Sequence, residues 1–237
     1  MIYQRINKLL SQQAICSRRR AEILIKEKKV MVNGQIAKIG MKVNTQTDSI
    51  TVNGEKINCQ KFSSKIVLIN KPKYVITSCH DNYNRKTILD LLPQEYKKGF
   101  YPVGRLDYLS RGLILLTNNG KLCYELSHPK FGHKKIYIVK INGKSDQNLI
   151  EKWKEGINLN GKKTHPCEIN IIREEPKYFA IKIILKEGRN RQIRRVANLL
   201  GYKVKDLKRT NFGNFSLDNL KEGDWRLIKA CNSRVKK

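Results

Sequence analysis

Val30-Met-Val-Asn-Gly-Gln-Ile36 and Ile50-Thr-Val-Asn-Gly-Glu-Lys-Ile57 each place an Asn-Gly pair inside an apolar alternation. Asn-Gly supplies positive φ at both central positions of a two-residue turn, so each stretch reads as a tight antiparallel hairpin. Asn119-Gly120, Asn142-Gly143 and Asn160-Gly161 repeat the signal farther along. Hairpins spread along a chain build antiparallel or mixed sheets and disfavour a doubly wound parallel fold, whose strands need helical crossovers. The expected class is α+β. A small α/β domain of two helices and short strands precedes a mixed, largely antiparallel sheet with flanking helices.

Upstream of the first hairpin, Ile6, Leu9 and Leu10 form one apolar helical stripe, and Ala21, Leu24 and Ile25 a second. Ser17 is placed to cap the second helix, whose first turn is then Arg18-Arg19-Arg20. Three cations there oppose the positive end of the helix dipole. Against a phosphate, the same arginines and the free helix N–H groups become an anion site. Downstream, residues 61–64 are short and polar, and the domain boundary is set there: 1–60, a 61–64 linker, and 65–237. The second domain is expected to open with a strand over 66–69, then a short helix from Thr87 to Leu92. Further strands are expected over 113–116, 136–141, 167–172 and 178–185. A helix over 190–200 buries Ile193, Val196, Ala197 and Leu200, and Gly201 stops it.

The 237 residues carry 49 Lys+Arg against 20 Asp+Glu, a formal charge of +29, with 40% hydrophobic residues. That is apolar enough for a core and rules out wholly disordered chain. Residues 1–60 hold 11 basic and 4 acidic side chains, so the excess lies in both parts. Such a charge calls for a polyanionic partner, nucleic acid ahead of anionic membrane. No apolar run approaches the ~18 residues of a membrane span, and no secretory signal opens the chain, so a soluble protein is expected. The cysteines at 16, 59, 79, 123, 167 and 231 lie at least 20 residues apart, as reduced and mostly buried thiols rather than a zinc site. No phosphate loop, dinucleotide fingerprint, nucleophile elbow or zinc-protease motif is present, and no metal site is expected.

Two stretches carry unusual polar content. Gly104-Arg105-Leu106-Asp107-Tyr108-Leu109-Ser110-Arg111-Gly112 sets a carboxylate between arginines just before an apolar strand. Such a group, kept ionised by its neighbours, serves as nucleophile, base or metal ligand, or simply caps a turn. In the second stretch, Lys186 to Arg209, nine basic and two acidic residues accumulate. Arg191, Arg195 and Asn198 share a face opposite the apolar stripe, with Arg194 at its edge. Arginine pairs bidentately with phosphate or carboxylate, so the stretch reads either as a solvated basic face or as one whose arginines hold RNA while one crosses to the carboxylate.

With these motifs in hand, nearly the whole chain resembles the RsuA/RluB branch of pseudouridine synthases, preceded by an S-four RNA-binding domain. Residues 3–57 resemble that domain. Asn70-Lys71-Pro72, Gly104-Arg105-Leu106-Asp107, Lys135-Ile136-Tyr137, residues 185–195 and Gly223-Asp-Trp-Arg-Leu227 are similar to the synthase motifs, in order. The resemblance implies a base-flipping isomerase of ribosomal RNA, 23S ahead of 16S, needing no cofactor. It implies Asp107 as nucleophile, Tyr137 as stacking platform, Arg194 as partner of Asp107, and Arg105 filling the gap left by the base. Arg18, Arg19, Arg20, Arg189, Arg191, Arg195 and Lys71 are expected on RNA. Asn119 stands where the family has an aspartate in an Asn-Asp-Gly turn, and Arg111 where it often has an acid, a change expected to alter RNA contacts. The implied partner is ribosomal RNA or an assembly intermediate. The protein is expected as a monomer, in a bacterial-type cytoplasm or an organelle with such ribosomes. The rivals are a non-catalytic rRNA-binding assembly factor and a basic DNA-binding protein.

Overall fold

The computed structural model describes residues 3–59 and 63–228. Lys61 and Phe62 of the expected linker, Cys231 and the basic end Arg234-Val-Lys-Lys237 lie outside the described residues. By contact the chain divides into two units. One takes in residues up to 64 together with Pro93–Phe100; the other takes in Lys65–Leu92 and the chain from Tyr101 on.

In the first unit, the helices Ile6–Gln12 and Arg18–Lys26 bury the anticipated stripes, with Ile6, Leu9, Leu10, Ala21, Leu24 and Ile25 all in one core with Val30, Val32, Ile50 and Val52. Ser17 caps the second helix, its hydroxyl accepting from the Arg20 N–H at 3.2 Å. The strands Gln35–Ile36, Val30–Val32, Ile50–Val52 and Glu55–Lys56 form an antiparallel sheet in that order. Its hairpins turn at Asn33-Gly34, with φ 49° and 79°, and at Asn53-Gly54, with φ 52° and 84°. The short helix Gln94–Lys97, not anticipated, clusters with this unit.

The second unit is built on one large mixed sheet. Across it run Glu168–Glu175, Tyr178–Leu185, Lys135–Asn142, Val204–Phe212, Arg111–Thr117, Ile66–Lys71 and Trp225–Ile228. Tyr101–Val103 also pairs with Arg111–Thr117, and Phe215–Ser216 with Val204–Phe212. Neighbours are antiparallel except at one seam, where Val204–Phe212 and Arg111–Thr117 run parallel, Arg209 beside Gly112. Gly112 has φ 107°, and a Cβ there would stand 2.2 Å from the Arg209 carbonyl oxygen, so only glycine fits this approach. The central strands Ile66–Lys71 and Arg111–Thr117 are buried on both faces, which accounts for their nearly continuous apolar runs. The helix Gln192–Leu199 packs on Val204–Phe212, burying Ile193, Val196 and Ala197. Leu200 is only half-buried as its C-cap, and Gly201 follows with φ 80°.

Two Asn-Gly pairs are not hairpin turns. Asn119 has an extended φ of −107° and caps the helix Gly120–Ser127, its side chain accepting from the N–H groups of Lys121 and Leu122. Asn142 ends its strand, and only Gly143 takes positive φ. Asparagine serves helix caps as readily as turns, so the dipeptide alone does not distinguish them. The cysteines also differ from expectation. Among the described residues four are half-buried and Cys79 is exposed. Their packing lies at the margins of the cores, as with Cys16 and Cys59.

Candidate active site

Asp107 lies on the loop joining Tyr101–Val103 to Arg111–Thr117, and successive backbone groups of that loop are tied down by residues distant in sequence. The Thr77 hydroxyl donates to the Leu106 carbonyl at 2.8 Å and accepts from the Leu106 N–H at 3.2 Å. The Tyr74 N–H donates to the Tyr108 carbonyl at 2.8 Å. Arg194 Nη2 donates to the Leu109 carbonyl at 3.0 Å, and Lys71 Nζ to the Ser110 carbonyl at 2.8 Å. Within the loop, the Ser110 N–H closes on the Asp107 carbonyl at 3.0 Å. With its neighbours held this way, the Asp107 carboxylate is pre-positioned, which is what a reacting group requires.

The carboxylate faces a cleft of about 370 Å³ that is also lined by Tyr137, Arg191, Arg194 and Arg209. Tyr137 is 8% exposed, on the strand Lys135–Asn142. Among the described residues the cation within ion-pair reach of Asp107 is Arg191, Nη1 standing 3.9 Å from Oδ2, with both side chains partly open to solvent. An open pair of that length is worth little by itself and gains strength as a ligand excludes water. Arg191 can reach it because it is the N-cap of Gln192–Leu199 in a left-handed conformation, φ 48°. Arg194 has been expected to make this pair. Here it binds the loop carbonyl, while burial, then Arg191, push its pKa down and the charges of Asp107 and Asp206 push it up. Its influence on Asp107 is thus exerted through charge and through the loop.

Three further expectations are corrected. Lys71, anticipated on RNA, is fully buried, with Nζ donating at 2.8 Å to the carbonyls of both Pro72 and Ser110. Burial lowers its pKa from 10.5 to about 8, against the attraction of Asp107 and Glu222. It sits there because it ends a strand buried on both sides. Arg189, also anticipated on RNA, donates through Nε to Glu187 at 3.1 Å and through both Nη atoms to the carbonyls of Lys162 and Lys163. Glu187 itself also accepts from the His165 N–H and from Gln192. Burial would raise the Glu187 pKa, but these hydrogen bonds outweigh it and hold it below the ordinary range. Arg111 is taken up by Asp206 at 2.8 Å and Glu222 at 3.1 Å, so it points away from a role in RNA contact. Lys73 closes on Asp206 at 2.6 Å, and these cations hold the Asp206 pKa down at about 2 despite burial. Neither Arg105 nor Arg111, the arginines nearest Asp107 in sequence, is its ion-pair partner; Arg191 is. Arg105 is exposed on the cleft wall. Arg18, Arg19 and Arg20 are exposed, Arg20 lying 3.9 Å from Glu27. Arg195 is half-buried and donates to Asn160.

The family model for RNA pseudouridylate synthase matches residues 65–199, more than half of the chain and all of the Asp107 loop. The chain belongs to the RNA pseudouridylate synthases. This isomerase carries an S4 domain over residues 4–50. It is 38% identical over 228 residues to an uncharacterized RNA pseudouridine synthase of Aquifex aeolicus, covering 95% of this chain and 90% of that protein. Ribosomal large subunit pseudouridine synthase B of Bacillus subtilis is 38% identical, with 94% and 91% covered. The dual-specificity RNA pseudouridine synthase RluF of Escherichia coli is 35% identical, with 94% and 74% covered. A crystal structure of a pseudouridylate synthase superposes with a TM-score of 0.70 at 27% identity, covering 98% of both chains. These relatives place the enzyme in the RsuA-type branch, with RNA as its partner. Among the described residues no helix is long and apolar enough to cross a membrane. Thr77 and Tyr74, which hold the Asp107 loop of the synthase, carried no sequence signal, since each acts on backbone far from it in the chain.

Proposed function

We propose that the enzyme isomerises a uridine of ribosomal RNA to pseudouridine, with Asp107 as the nucleophile and Tyr137 as the platform for the flipped base. One observation carries the reading: Asp107, Tyr137, Arg191 and Arg194 line a single cleft of about 370 Å³. Conversion breaks the C1′–N1 bond, turns the uracil and joins C5 to C1′, with no net oxidation and no group lost. Extruding the base costs a few kcal/mol. Stacking on an aromatic ring returns ~1–3 kcal/mol, and Tyr137 offers that ring. Arg191 and Arg194 keep the field at Asp107 positive, favouring its carboxylate and any negative charge arising in the reaction. Arg105 fills the gap the base leaves in the RNA.

The RNA is held by the exposed Arg18, Arg19 and Arg20 of the first unit, which we assign as the RNA-binding domain of residues 1–60, and by Arg191 and Arg195 of the catalytic domain, residues 65–237. The name of the Bacillus subtilis relative supports large-subunit RNA as the substrate class. A monomer working without metal, on rRNA or an assembly intermediate in a bacterial-type cytoplasm, suits this reading. The test is mapping of pseudouridine in rRNA from cells with and without the gene, and from cells carrying Asp107→Ala. We expect one or more pseudouridines to vanish in both the deletion and the variant, with RNA affinity of the variant within several-fold of wild type. An unchanged pseudouridine map in the deletion strain overturns the proposal.

A further inference from the structure

Lys135 and Arg209 stand on neighbouring strands at one end of the cleft and share one aromatic ring. Lys135 Nζ lies 5.5 Å, and the Arg209 guanidinium carbon 5.1 Å, from the centre of the Phe212 ring. Among the described residues neither cation has a carboxylate partner; the acid closest to Lys135 in its charge environment, Glu187, is occupied by Arg189, Gln192 and the His165 N–H. Arg209 is 3% exposed, and its Nε donates to the Leu113 carbonyl at 2.8 Å. Its Nη2 is buried with no hydrogen-bond partner among the described residues. Among the described residues, Lys135 Nζ makes one hydrogen bond, a long one of 3.3 Å to the His133 carbonyl. Burial, and after it the charge of Arg209, lower the Lys135 pKa, with Glu187 opposing.

Two cations packed on one ring without an acid among the described residues, one of them with an unbonded N–H, form an arrangement that folding alone has no reason to keep. A ligand that satisfies both must be an acceptor and must be negative. The strand register says which part of an RNA reaches it. Arg209 pairs with Tyr137, and Phe212 with Lys135. Lys135 and Tyr137 therefore point to the same face, two residues or roughly 7 Å apart along the strand. That is comparable to the reach from a pyrimidine ring, across its ribose, to the phosphate. Resting on the reading that Tyr137 supports the extruded uridine, we infer that Lys135 and Arg209 form the subsite for the phosphate of that same nucleotide. A carbonyl of the uracil would satisfy Nη2 but leave both charges uncompensated, whereas a phosphodiester answers both needs. Held at base and phosphate together, the ribose is fixed over Asp107, and binding energy is turned into alignment.

The experiment titrates the full chain separately with 5′-UMP, uridine and inorganic phosphate, following the Tyr137 and Phe212 ring resonances by NMR. The expected result is 5′-UMP binding about tenfold tighter than uridine, the scale of one charge-assisted hydrogen bond. Arg209→Gln and Lys135→Met should each bring 5′-UMP to within about threefold of uridine while leaving uridine itself unchanged. If Arg209→Gln fails to fold, Lys135→Met, at a half-buried position, gives the same reading. Equal binding of 5′-UMP and uridine by wild type overturns the inference. So does a preference that survives both substitutions, or a loss of uridine binding equal to that of 5′-UMP, which puts Arg209 on the base. Failure of the underlying reading looks different: none of the three ligands moves the Tyr137 resonance.

Discussion

The chain carries two arginine runs, Arg18-Arg19-Arg20 and the set 189, 191, 194 and 195, and they behave in opposite ways. In the first, all three side chains stay exposed on one capped helix turn. In the second, Arg189 is bound to Glu187 and two carbonyls, Arg191 approaches Asp107, Arg194 holds the Leu109 carbonyl, and Arg195 donates to Asn160. A run of like residues on a solvated helix acts as a patch. The same residues beside a cleft become individual parts, because each finds a different partner supplied by another strand or loop. Buried cations should therefore answer to substitution with specific losses, and exposed ones with small, uniform losses.

The largest effect belongs to the most deeply placed cation. With a folded-state pKa lowered from 10.5 to about 8, Lys71 binds its proton less tightly in the native than in the unfolded chain. The unfolded state thus holds more protons between those values, and stability rises with pH across that window, by up to roughly 3 kcal/mol. Below about pH 8 the cost of the buried charge is fully present. Lys71→Met should lack this rise, read from urea unfolding at several pH values; parallel curves for the two proteins would contradict a buried ammonium. Next, Arg194→Ala removes both the loop anchor and a charge, and should slow pseudouridine formation about a hundredfold, ~2.7 kcal/mol, with RNA affinity nearly kept. Arg191→Ala, losing one partly exposed pair, should cost about tenfold. A reversed order would show that the direct contact outweighs the anchoring. Arg189→Gln should lower unfolding stability by ~1–3 kcal/mol, since it leaves Glu187 and two carbonyls short of donors, while RNA binding stays near wild type. Smallest of all, Arg18→Ala or Arg19→Ala should weaken RNA binding a few-fold and reduce the salt slope by about one unit each, uniformly across RNA sequences. Loss of sequence preference in either would mean the exposed run reads bases after all.

Much of the fold was legible because its signals are local. Ser17 caps the helix it was expected to cap, and the stripes Ile6, Leu9, Leu10 and Ala21, Leu24, Ile25 are core. Tyr178–Leu185 has the anticipated bounds. The helices Gly120–Ser127 and Gln147–Glu155 were missed, one behind an Asn-Gly that reads as a turn, the other behind an Asp146 cap with few apolar residues following. At the site, Asp107 and Tyr137 could be named from motif resemblance, while the roles of Lys71, Arg189 and Arg191 could not.

By itself, the order of residues determined the class of the fold, the helix start at Ser17 and the apolar faces. Each of these follows from neighbours a few positions apart, through backbone preference and periodic burial. Only the tertiary structure decided which guanidinium meets Asp107, why Gly112 admits Arg209 at the parallel seam, and that Lys71 is an internal prop rather than a hand on RNA. Those outcomes depend on which strands lie side by side, and charge, being long-ranged and blind to chain order, pairs with whatever the packing brings close.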